Sequence, residues 1–274
     1  MNHIRKEKGV IRKYNFNART LDDNVVRDGL KAVSLLKEPH YLVGGIATQN
    51  YIPTTCRRPT SDVDFSVVRP LNYENFKSMV SNVKEFLCDI GYTAETKKRS
   101  RSYSLDIFDA NNEGLCLEFA RRNDQNFKKN KKKLERELEQ ANNKIIEGRD
   151  ATYKVCRPED IAIPKLVRLI SSLRRNSYLS RYISGEIDAL TEEGIKRQLK
   201  EISDIREEVV SNISNPALAE ELRFASDLYD IRILSELTGF NEKYLAEVIE
   251  DWNTFKDHSN EREKLVKAVL PKFL

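Results

Sequence analysis

Apolar residues in LDDNVVRDGLKAVSLLKEP recur near helical spacing, at Val25, Val26, Leu30, Val33 and Leu36, and the run stops before Pro39. That pattern predicts a helix. YLV reads as a short strand, and GGIATQNYI turns straight into a second helix. SDVDFSVV is rich in β-branched and aromatic residues and predicts a strand. NYENFKSMVSNVKEFLCDIGY predicts one amphipathic helix, with Phe76, Met79, Val80, Val83, Phe86 and Leu87 on one side. SYSLDIFDANNEGLCLEFARR predicts a hairpin around the polar turn ANNEG. A charged helix over about 126–147 and a strand, ATYKVC, follow. From PEDIAIPKLVRLI onward the periodicity is almost wholly helical, through EEGIKRQLKEISDIREEVVSNI, PALAEELRFASDLYDIRILSEL and NEKYLAEVIEDW.

Strands alternating with helices up to about residue 156 predict an α+β (α/β) sheet domain over 1–156, with a helical domain over 157–274. A length of 274 residues suits two modest domains. Composition narrows the class further. Charged residues are 33% against 39% hydrophobic, and no stretch approaches the roughly 18 consecutive apolar residues of a membrane span. The basic N-terminus MNHIRKEKGVIRKYNF has no apolar signal core, so the expectation is a cytoplasmic protein with no membrane partner. Cys56, Cys88, Cys116 and Cys156 lack CxxC spacing, and His3, His40 and His258 are isolated. Zinc sites, disulfide frameworks and histidine-based triads are thereby disfavoured, which leaves carboxylates, lysine or a bound metal for any chemistry.

The net charge is only +4, yet KKRSR (97–101) and RRNDQNFKKNKKK (121–133) concentrate cations. Such runs attract phosphates. A solvated helix face explains the second run equally well, since Lys131 and Lys133 are spaced to pair with Glu135 and Glu137.

Within SDVDFSVV, alternation puts Asp62, Asp64 and Ser66 on one face and Val63, Phe65 and Val67 on the other. Two carboxylates on adjacent same-face positions repel each other. A divalent cation between them removes that cost, because Mg²⁺ requires oxygen ligands. Upstream, with sixteen residues (46–61) between, Gly44 and Gly45 end a strand and open a helix, a turn that lets backbone N–H groups approach a phosphate.

The ordered set Val43, Gly44, Gly45, then Asp62-x-Asp64 in a strand, resembles the nucleotidyltransferase superfamily of DNA polymerase beta. That resemblance implies a third carboxylate on a neighbouring strand. Glu118 in LCLEFARR is favoured because its strand is the more apolar and so the more central; Asp106 in YSLDIFD is the competitor, since hairpin register is not fixed by sequence. RPEDIAIPKLVRL and SDLYDIRIL resemble segments of AbiEii-type nucleotidyltransferase toxins, and map that family's functional lysine and aspartate onto Lys165 and Asp227, with Asp230 one turn later. Pro164, directly before the lysine, predicts a kink or restart of that helix. Taken singly, Lys165 also reads as a snorkelling border residue and Asp227 as an exposed position on an amphipathic helix.

The resemblance implies transfer of a nucleotidyl group from an NTP to an acceptor, in a cleft between the two domains. Asp62, Asp64 and Glu118 would hold Mg²⁺, Gly44, Gly45 and Thr48 would position the triphosphate, Lys165 would neutralise phosphate charge, and Asp227 would orient Lys165 or the acceptor. It further implies an RNA acceptor, with the 3′ end of tRNA as its form, and an antitoxin partner. An antibiotic-modifying nucleotidyltransferase is one alternative; its cationic substrate would favour an acidic cleft. A nucleic-acid-binding pseudoenzyme is another, and the intact aspartate pair speaks against it.

Overall fold

A computed structural model describes residues 17–184, 190–212 and 215–252. His3, His258 and the basic N-terminal stretch lie outside the described residues. The described residues fall into two compact units: one runs up to Arg157 without Tyr51–Cys56, and the other joins Tyr51–Cys56 to the chain from Pro158 onward.

In the first unit, helix α1 (Asn24–Val33) precedes strand β1 (His40–Val43), which passes directly into the short helix α2 (Gly44–Gln49). Strand β2 (Asp62–Val67) follows, then helices α3 (Tyr73–Met79) and α4 (Ser81–Asp89). The single amphipathic helix expected here is two, because Val80 leaves helical geometry (φ −90°, ψ 7°) while staying fully buried. Strand β3 (Thr93–Lys98) was not anticipated: TAETKK carries no apolar alternation, as befits an edge strand. Strands β4 (Ser102–Phe108) and β5 (Gly114–Ala120) form the expected hairpin. Helix α5 (Asp124–Gln140), capped by the Asn123 side chain on the Asn126 N–H, ends earlier than the predicted 147. Its presumed tail is instead strand β6 (Asn142–Ile145), paired antiparallel with β7 (Thr152–Val155).

The seven strands lie in the order β3-β4-β5-β2-β1-β7-β6, a mixed sheet in which β2 runs parallel to β5 and antiparallel to β1. Strand alternation gives its centre two chemically distinct faces. Val63, Phe65, Leu105, Leu117 and Phe119 share one face, all buried, and Phe119 stacks on Phe65 (ring centroids 5.2 Å) and meets Phe76 of α3 at a tilt (5.4 Å). Helix α1 covers the same face, with Gly29 against the Leu117 side chain. The other face carries Asp62, Asp64 and Ser66 of β2, Ser102, Ser104 and Asp106 of β4, and Cys116 and Glu118 of β5. One sheet face makes the core and the other is kept for polar groups.

The second unit is helical: α6 (Pro158–Arg175), a 3-10 turn (Ser177–Ser180) leading into α7 (Arg181–Ser184), α8 (Glu192–Ser211), α9 (Pro216–Leu237) and α10 (Glu242–Glu250). Pro164 neither breaks nor restarts α6, which runs through it. Its core joins Leu166, Leu169 and Ile170 of α6 to Phe224, Leu228 and Ile231 of α9 and Leu245 and Val248 of α10. Every residue from Phe224 to Ile231 is buried, so the middle of α9 is enclosed on all sides.

Candidate functional site

Two features of the first unit meet where β1 ends. The β1–β2 register sets Val43 opposite Asp64, so Gly44 turns the chain beside that carboxylate. Gly44 has φ +78°, and a β-carbon on it would lie 2.2 Å from Asp64 Oδ2. Only glycine satisfies both the conformation and the space. Thr48 is fully buried and its Oγ1 donates to the Gly44 carbonyl (3.2 Å), so this side chain braces the turn. Around Gly45 the space is closed by Thr60 and by Arg58 Nη2, each 3.3 Å from where a β-carbon would stand. Arg58 belongs to the loop IPTTCRRPT and is largely buried; nothing in its sequence context singled it out.

The parallel pairing of β2 with β5 sets Asp64 opposite Glu118 and Asp62 opposite Cys116. Asp62, Asp64 and Glu118 each bring a carboxylate oxygen to within 4.8 Å of the others. Asp62 Oδ1 accepts a hydrogen bond from Thr60 Oγ1 (2.8 Å), and Glu118 Oε1 accepts one from Ser102 Oγ. Asp106 is placed differently: Arg99 Nη2 (2.8 Å) and Lys97 Nζ (3.2 Å) pair with it, and Arg99 Nε also donates to Ser104 Oγ (2.8 Å). Two cations of the KKRSR run are thus committed to a buried carboxylate of the sheet. Cys116, between these groups, has its thiol pKa pushed well up by burial and is unsuited to thiolate chemistry. Three converging carboxylates form an all-oxygen donor set, which fits a hard divalent cation such as Mg²⁺ and suits softer metals poorly.

In the second unit, α6 and α9 bring together residues 62 positions apart. Lys165 Nζ donates to Asp227 Oδ1 (3.0 Å) and Asp230 Oδ2 (2.7 Å), with all three side chains at most 5% exposed. Neither a snorkelling lysine nor an exposed aspartate describes this pair. Arg168, one turn beyond Lys165 and absent from the sequence-based candidates, grips the same carboxylate side-on, Nε to Oδ2 and Nη2 to Oδ1, both 2.9 Å. Burial opposes the charged form of Asp227, yet Arg168 and then Lys165 hold its pKa well below the usual carboxylate range.

The basic run 121–133 divides by role. Arg122 anchors α5 to the polar sheet face, donating to Ser66 Oγ (2.9 Å) and the Val67 carbonyl (3.2 Å). Lys131 and Lys133 lie 3.6 and 3.8 Å from Glu135 and Glu137, as helical spacing allows. Lys128, Lys129 and Lys132 are exposed. No helix among the described residues is long and apolar enough to cross a membrane.

No family model matches the chain, and no curated protein matches it. Among solved structures it is similar to an antigenic nucleotidyltransferase-like protein from Paracoccidioides brasiliensis, with 14% identity over 69% of this chain and 89% of that one (TM-score 0.33). It is also similar to terminal uridylyl transferase 4 from Trypanosoma brucei, with bound GTP (14% identity, TM-score 0.25) and with bound CTP (15% identity, TM-score 0.27), over 86% of this chain and 74% of that one in each case. At such scores each stands as a likeness only.

Proposed function

We propose that this chain is a divalent-metal-dependent nucleotidyltransferase. The observation that carries the reading is the convergence of Asp62, Asp64 and Glu118 beside a glycine turn packed against one of them. In the proposed reaction an acceptor hydroxyl attacks the α-phosphorus of an NTP, the bond to the bridging oxygen breaks, and pyrophosphate leaves. A bound Mg²⁺ would polarise the α-phosphate and stabilise the attacking and leaving oxygens. The three carboxylates would hold the ion, with Thr60 and Ser102 fixing the orientation of Asp62 and Glu118. Gly44 and Gly45, beside Arg58, would receive the triphosphate; Thr48 supports them from behind. The Lys165–Asp227 pair is assigned to substrate handling through its resemblance to the toxin segments.

The exposed lysines of α5 favour a polyanionic acceptor, for which phosphate contacts supply sequence-independent affinity. RNA, in the form of a tRNA 3′ end, and a toxin role with a cognate antitoxin are the finer reading, resting on the resemblance of RPEDIAIPKLVRL and SDLYDIRIL to AbiEii-type toxins. The test is incubation with each α-labelled NTP, Mg²⁺ and total RNA. Label entering RNA with one NTP supports the reading; no label in RNA with any of the four removes the RNA acceptor.

A further inference from the structure

We propose that Arg99 binds the phosphate next to the attacking hydroxyl of an RNA acceptor, on the flank of the carboxylate cluster opposite the glycine turn. The assignment rests on the nucleotidyltransferase reading and names a contact for its acceptor. Every residue it needs belongs to the first unit.

Strand pairing lays out the polar sheet face as a grid. Asp106, Cys116 and Asp62 form one row across β4, β5 and β2, and Ser104, Glu118 and Asp64 form the next. Arg99, from the β3–β4 turn, lays its guanidinium on this grid: Nε donates to Ser104 Oγ (2.8 Å), and Nη2 donates to Asp106 Oδ1 (2.8 Å) and Cys116 Sγ (3.5 Å). Ser104 and Cys116 are the cross-strand neighbours of Glu118 and Asp62, so the cation stands beside the cluster. Gly44 follows β1, on the other flank. With neighbouring strands about 4.8 Å apart, β4 lies roughly 5 Å from β5 and roughly 14 Å from β1. That separation decides which substrate Arg99 meets. Displacement at phosphorus is in line, so with pyrophosphate leaving toward the Gly44 turn the acceptor oxygen arrives from the far side, toward β5 and β4.

The side chain suits an anion there. Nη1 has no partner among the described residues and is not a buried atom, so the 15% of the side chain left exposed includes it. The bonds through Nε and Nη2 already fix the planar fork, and a ligand meeting Nη1 does not have to order it. A phosphate oxygen is the acceptor for which such a charged donor gives a strong bond.

The experiment uses the full chain, an α-labelled NTP with Mg²⁺, and two single-stranded RNA oligonucleotides, one of them carrying an uncharged methylphosphonate as its last linkage. Wild type is compared with Arg99→Gln and with Arg99→Gln combined with Asp106→Asn, which strands no buried carboxylate if the single variant folds poorly. Both variants are expected to raise KM for the ordinary oligonucleotide about tenfold, with KM for the NTP unchanged. The neutral linkage should cost the wild type a similar factor and cost the variants nothing further. Variants as sensitive to the neutral linkage as wild type overturn the proposal and leave Arg99 as a partner of Asp106 only. A rise in KM for the NTP alone also overturns it, by giving Arg99 to the triphosphate. A wild type that labels both oligonucleotides equally well loses only this assignment; one that labels neither loses the RNA acceptor, and the assignment with it.

Discussion

Gly44 and Asp64 stand so close that a single added carbon on the glycine would fall 2.2 Å from the aspartate's Oδ2. The turn that starts α2 and the carboxylate on β2 are therefore one unit, joined through the Val43–Asp64 register. Gly44→Ala must relieve both a left-handed φ of +78° and this overlap, and displacement of the Asp64 carboxylate is the expected outcome. A stability loss of about 1–3 kcal/mol is expected from the strain. The melting gain on adding Mn²⁺ with NTP should fall sharply at the same time. A variant that melts lower but keeps the full Mn²⁺ response would separate the turn from metal binding.

The ion-pair cluster of the second unit gives a signed pH dependence. Because the folded-state pKa of Asp227 lies below its ordinary 3.8, its stabilisation is present above that pH and lost as pH falls through the folded value. Asp227→Asn leaves Lys165 and Arg168 without this carboxylate and is expected to cost about 3–5 kcal/mol at neutral pH. Denaturant unfolding at a series of pH values should show the gap between wild type and variant closing below pH 3.8.

Glu137 has the opposite sign. This carboxyl, on the buried side of α5, accepts the Tyr41 hydroxyl and has its pKa raised above the ordinary 4.5 by desolvation, against the pull of Lys133. Its contribution is complete below pH 4.5 and fades as pH rises through the folded value. Glu137→Gln keeps an acceptor for Tyr41 and removes the desolvated charge, so it should be more stable than wild type at pH 7. Equal pH slopes for the two proteins between mild acid and neutrality would contradict this.

Replacing Lys128, Lys129 and Lys132 by Ala tests the α5 surface. If it holds a polyanionic acceptor, RNA affinity should drop and its dependence on salt should flatten, with NTP affinity unchanged. Unaltered RNA binding would make this a solvated helix face.

Legibility in the sequence followed the range of the interaction. The glycine turn and the Asp62–Asp64 strand were readable because both are local, set by alternation over a few residues. The choice between Glu118 and Asp106 was not, since it depends on which strand lies beside β2; pairing sets Glu118 opposite Asp64, while Asp106 is held by Arg99 and Lys97. Arg168 was invisible because its meaning lies in a carboxylate 59 residues away. Strands β3 and β6 escaped notice for a different reason: edge strands with charged and amide side chains show no apolar period. The break at Val80 interrupts no hydrophobic spacing, so periodicity alone reads straight through it.

The central claim is that Asp62 serves chemistry at a cost to the fold. The most direct measurement is transfer of α-labelled nucleotide by Asp62→Asn, with its melting temperature in metal-free buffer. The substitution keeps an oxygen for Thr60 Oγ1 and removes one charge from the carboxylate cluster. Transfer should fall by about a thousandfold, since metal-based stabilisation of the transferring group is lost. Melting should be unchanged or slightly higher, since repulsion with Asp64 and Glu118 is relieved. A variant that melts several degrees lower yet still transfers nucleotide would contradict the account.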